Sequence, residues 1–180
     1  MKKNVIVCGL IAGFISTAWM FGLMITGSSD QMDFDNGMWI GYASMLLAFS
    51  LIFVAVKNFR DHHNGGLITF GKAFKIGLLV TLIASTVYVL VWLVDYFYFI
   101  PDFSEKYAAH FIEQKRAEGA SEETIALHTK EMAEFSRLYK NPLFNALITY
   151  TEILPVGLLI SLVAALILKR KSNNGTTVTG

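Results

Sequence analysis

Cysteine and charge are both scarce in this chain of 180 residues. A single thiol, Cys8, rules out a disulfide within one chain and any cysteine-based metal site. Its place in an apolar run makes it a small packing residue. Charged residues reach only 16%, well below the roughly 25% of soluble domains. The net charge of +1 provides no basic stripe of the kind that nucleic-acid binding requires. Familiar catalytic signatures are missing too. There is no H-E-x-x-H, no G-x-S-x-G and no phosphate-binding glycine loop. "DHHN" at Asp61–Asn64 sets two histidines side by side, but neighbours in sequence do not share a helix face. It reads as a solvated loop. No metal, no cofactor and no nucleic-acid partner is expected, and on balance no enzyme.

What the chain has in quantity is apolar surface. Hydrophobic residues make up 54%, and the mean hydropathy is +0.49. They gather in four runs, at about residues 4–26, 37–56, 76–100 and 143–168. Each is long enough to cross a hydrocarbon core ~30 Å thick as a helix rising 1.5 Å per residue. Lipid offers no partner to backbone N–H and C=O groups, so spans of this kind are helical. The expected fold is all-α: a four-transmembrane-helix bundle in one membrane domain, residues 1–171, with a disordered polar tail over 172–180. Lys2 and Lys3 precede the first run, as in a signal peptide. That run exceeds the roughly 7–15 residues of a signal core, and no A-x-A-like site follows, so a retained helix is expected.

Charge sorts along the chain and gives an expected orientation. Lys2, Lys3, Lys57, Arg60, Lys72, Lys75, Lys169, Arg170 and Lys171 fall on one side of the spans, with Asp61 as the one acid among them. The segment "GSSDQMDFDN" holds Asp30, Asp33 and Asp35 and no base. Lys and Arg favour the cytoplasmic side, so both termini are expected there, with the chain a multi-pass protein of the inner membrane. Around Gly65 and Gly66 a turn is expected, then an interfacial stretch whose lysines reach the headgroups before the third span begins.

The third and fourth spans are joined by a polar segment, 103–140, too long for a turn. Phe103, Tyr107, Phe111 and Ile112 recur at helical spacing, as do Ile125, His128, Met132, Phe135 and Tyr139. Gly119 separates the two patterns, Ser121 can cap the second, and "NP" at Asn141–Pro142 can start the fourth span. An extracytoplasmic helical hairpin is expected, its apolar stripes covering the outer ends of the spans. No internal repeat is evident, which weakens any analogy with transporters built from inverted repeats. Gly9 and Gly13, and Gly37 and Gly41, form two G-x-x-x-G pairs. Such faces bring helices together, within the chain or at a seam with a protein partner or second copy.

One run contains a surprise. Glu152 is the sole charge between Lys140 and Lys169, with Pro155 close behind it. Asn145, Thr149 and Glu152 share a helix face. So do Thr81, Ser85, Tyr88, Trp92 and Asp95 on the third span. Pro155 cannot donate to the carbonyl of Thr151 and leaves it free. Glu152, Asp95, Thr149, Asn145, Tyr88, Trp92 and Ser85 therefore make a candidate intramembrane polar site, able to take a cation or a proton. Alternatively, Glu152 is structural, hydrogen-bonded to Tyr, Thr or Asn or paired with Lys106, Arg137 or Lys140.

At "GYASMLLAFSLIFVAVKNFRD", "GLITFGKAFKIG", "FIPDFSEKY", "YKNPLFN" and "EILPVGLLISLVAALILKR" the chain resembles the domain-of-unknown-function 4199 family of small bacterial integral membrane proteins. The resemblance spans roughly residues 5–170. It implies a multi-span protein of a bacterial envelope, and it brings no activity or site residues with it. On function three readings stand. The first is a non-enzymatic structural or partner-binding membrane protein. The second is a small transporter or ion- and proton-handling protein using Asp95 and Glu152. The third is a membrane-embedded lipid-acting enzyme. Close packing around Glu152 would favour the first, and a polar cavity there the other two.

Overall fold

The computed structural model describes residues 2–26 and 34–170. The expected disordered tail, 172–180, lies outside the described residues, as does much of the acidic segment after the first span. Seven helices follow in order: α1 (Lys2–Thr26), α2 (Phe34–Phe49), α3 (Leu51–His63), α4 (Phe70–Tyr98), α5 (Phe103–Ala117), α6 (Glu122–Tyr139) and α7 (Pro142–Leu168). Four stretches are long and apolar enough to cross a membrane: Lys2–Gly22, Asn36–His63, Phe70–Tyr98 and Pro142–Leu168. Among the described residues there is no strand, only a single bridge between Ile68 and Arg170. The all-α, four-span fold is thus as expected.

Helix ends follow local chemistry. The Thr69 side chain accepts from the Lys72 N–H at 3.4 Å and starts α4 at Phe70. Lys72 and Lys75, expected in an interfacial stretch before the third span, lie in the first turns of α4, which starts earlier than the expected boundary near Ile76. At the other side of the turn, α3 runs on to His63, past the expected end near Val56. Ser121 accepts from the Thr124 N–H at 3.2 Å and caps α6. Asn141 accepts from the N–H groups of Leu143 and Phe144 at 2.9 and 3.3 Å, with Pro142 at the first helical position of α7. Gly119 has φ of +80°, a left-handed conformation that closes α5 and that a side chain would resist.

Small residues set how closely the spans approach. A Cβ at Gly9 would stand 2.7 Å from Ile83 Cβ, and one at Gly13 2.6 Å from Val87 Cβ. Both glycines of the first G-x-x-x-G are therefore spent within the chain against α4, and in this fold neither is available to a partner. The second pair behaves differently: Gly37 and Gly41 have nothing within 4 Å of an added Cβ. On the far side of α4, Gly77 meets Ser161 and Gly157 meets Thr81. The Thr81 and Ser161 hydroxyls bond at 3.2 Å. Ala73, Val80, Ala84, Ala164 and Ala165 are fully buried.

The second span tightens locally at Ser50. Its N–H still bonds the Leu46 carbonyl at 3.1 Å, its hydroxyl donates to the Leu47 carbonyl at 2.6 Å, and the Phe53 N–H reaches back to the Ser50 carbonyl at 3.0 Å, a tighter pattern than the α-helix in a span that runs on. Past Ser50 α3 packs on α1, α4 and α7, whereas before it α2 packs mainly on α1. The bundle is therefore closed at one end and parted at the other. Over the parted end lie α5 and α6, packed on each other. Trp92 Nε1 donates to the Tyr139 hydroxyl at 2.9 Å, Ser136 donates to the Ser104 carbonyl at 3.1 Å, and the Tyr96 and Ser104 hydroxyls lie 3.2 Å apart.

Candidate ligand cavity

Where α2 parts from α4, a cavity of about 690 Å³ remains. Its walls come from every span: Trp19 of α1, Tyr42 and Met45 of α2, Tyr88 and Trp92 of α4, Thr149 and Glu152 of α7. The apolar stripes of α5 and α6 roof it through Phe103, Tyr107, Phe111, Phe135 and Tyr139. The rings brace one another. Trp92 meets Phe103 edge-on at 4.9 Å, Tyr96 meets Tyr139 at 5.2 Å, and Phe34 lies 5.2 Å from His110, another lining residue.

Glu152 lies about ten residues into α7, roughly 15 Å from its start. At that depth in a span an acid would normally be buried in contact with a partner. Here it is exposed on the cavity wall. Among the described residues no hydrogen bond or ion pair reaches it. The bases proposed as partners are engaged elsewhere: Lys106 with Asp102 at 2.8 Å, Arg137 with Glu134 at 2.6 Å and Lys140 with Glu105 at 2.7 Å. In α6 the Tyr139 hydroxyl is pushed up to about 12, chiefly by burial; donation from Trp92 opposes this, and the nearby Glu152 charge adds to it.

The structure thus brings four of the sequence-derived candidates, Glu152, Thr149, Tyr88 and Trp92, to one cavity. The other three stand apart from it. Asn145 is buried and donates to the Tyr139 carbonyl at 3.4 Å, while its own carbonyl accepts from the Thr149 hydroxyl at 2.8 Å. Ser85 is buried with its hydroxyl unpartnered among the described residues. Asp95 is fully buried, and neither of its oxygens has a partner among the described residues. It does not line the cavity. Pro155 is exposed, and α7 continues through it to Leu168. Trp19, Tyr42 and Met45 were not singled out in the sequence. They sit in apolar runs where periodicity cannot tell a lipid-facing ring from an inward one. Among the described residues, no group of three His, Cys, Asp or Glu side chains could hold a metal.

A four-span helical membrane protein with a carboxylate-bearing aromatic cavity is the class that fold and site define. The chain belongs to the family described as protein of unknown function (DUF4199), whose model matches residues 8–170. No curated protein and no solved structure shows significant similarity to it.

Proposed function

We propose that this is a non-enzymatic membrane protein that takes a small molecule into the cavity beneath α5 and α6, as a small transporter or solute-binding protein does. One observation carries the reading: Glu152 faces open space, without a partner among the described residues, inside a cavity of ligand size. A purely structural glutamate would be expected in close packing with its hydrogen bonds filled. Lipid chemistry by paired carboxylates lacks its second member, because Asp95 is sealed away from the cavity. The Lys and Arg sorting supports both termini and residues 57–75 on the cytoplasmic face of a bacterial inner membrane, with 101–140 outside.

A cysteine at the floor of the cavity tests this. In a Cys8→Ala background, Glu152→Cys is expected to react with a small water-soluble methanethiosulfonate added to the purified protein. Leu159→Cys, exposed on the outer surface of the same helix, is expected to stay inert in lipid. An unreactive thiol at 152 would overturn the proposal.

A further inference from the structure

The identity of the occupant follows from charge and from rings, and the argument rests on the cavity reading above. Among the described lining residues Glu152 alone carries a formal charge, with His110 the other group able to gain one. The bases of α5 and α6 that could have neutralised Glu152 are paired with Asp102, Glu134 and Glu105. An anionic ligand would meet repulsion. A neutral apolar one would strip water from the carboxylate and return nothing. A cation answers both objections.

The rings decide which cation. A metal ion needs a shell of several oxygens, and this cavity has one carboxylate and no three-residue ligand group among the described residues. About 690 Å³ is also far more than one bare ion fills. Tyr42, Tyr88, Trp92 and Tyr139 instead share the cavity lining with Glu152, and their aromatic faces carry a quadrupole that attracts an alkylammonium head. Trp92 is fixed by its bond to Tyr139 and its edge contact with Phe103, so this wall is organised before any ligand arrives.

We propose that the cavity is a binding site for an organic ammonium ion, with Glu152 as its counter-ion and the aromatic lining as its cage. Two sources carry such a head, a water-soluble amine and a lipid headgroup.

The test uses the full chain in nanodiscs of phosphatidylglycerol, following tryptophan fluorescence. The probes are choline, tetramethylammonium and 3,3-dimethyl-1-butanol, the uncharged isostere of choline. Saturable binding of both cations is expected, at least tenfold tighter than that of the isostere. Glu152→Gln, shown folded by an unchanged melting curve, is expected to weaken choline at least tenfold. Nanodiscs of phosphatidylcholine separate the sources: loss of the choline response there identifies the lipid head, and its persistence a soluble amine. Equal binding of choline and its isostere, or unchanged choline binding by Glu152→Gln, overturns the assignment. So does the absence of any saturable response in phosphatidylglycerol. If the thiol at 152 is nevertheless reactive, the cavity reading survives that loss. If that thiol is inert as well, both fall.

Discussion

Two glycines in similar helical settings should respond oppositely to the same substitution. At Gly157 an added Cβ runs into Thr81 Cγ2 and stands 2.9 Å from Phe49 Cζ. Gly157→Ala is expected to destabilise the protein by about 1–3 kcal/mol, the usual cost of overpacking. At Gly41 nothing lies within 4 Å. Gly41→Ala is expected to lose nothing and to gain up to ~1 kcal/mol from helix propensity. Denaturation midpoints in mild detergent give the comparison, and equal shifts would contradict the close approach of α4 and α7. The sequence shows four G-x-x-x-G glycines alike; only packing separates the filled pair from the open one. It also marks Glu152 as out of place without showing what it faces, because a carboxylate paired with Lys140 and one on a cavity wall look the same in one dimension.

At the level of elements, α5 and α6 illustrate legible pattern. Their stripes of Phe103, Tyr107, Phe111, Phe135 and Tyr139 are readable as amphipathic faces, and the structure lays them over the parted bundle. Phe135→Asp is expected to undock them, because it sets a charge among Tyr139 and Phe144. Leu127→Asp, on an exposed position of the same helix, is expected to be harmless. Hydrogen exchange across 103–139 should quicken in the first variant and stay as in the parent in the second; the reverse order would refute the docking. The tightening at Ser50 was not legible. Serine is common in spans, and only the structure shows that its hydroxyl has found the Leu47 carbonyl behind it.

For the molecule as a whole, sidedness is the quantity to measure. In a Cys8→Ala background, His62→Cys and Ser121→Cys, both at exposed positions, are expected to label from opposite faces of a sealed vesicle. Labelling of both by an impermeant reagent on the same face would refute the topology. The spans and their order were readable because ~20 apolar residues admit one solution in lipid. The cavity was not, since it arises from where helices fail to meet rather than from any run of residues. The tight seam of α4 and α7 has a further consequence. A membrane that stores an ion gradient discharges through any continuous aqueous thread. Below the cavity, Gly77 against Ser161 and Gly157 against Thr81 leave no room for one between α4 and α7. On the proposed reading, a charged recess then ends on a packed floor and is a dead end rather than a passage.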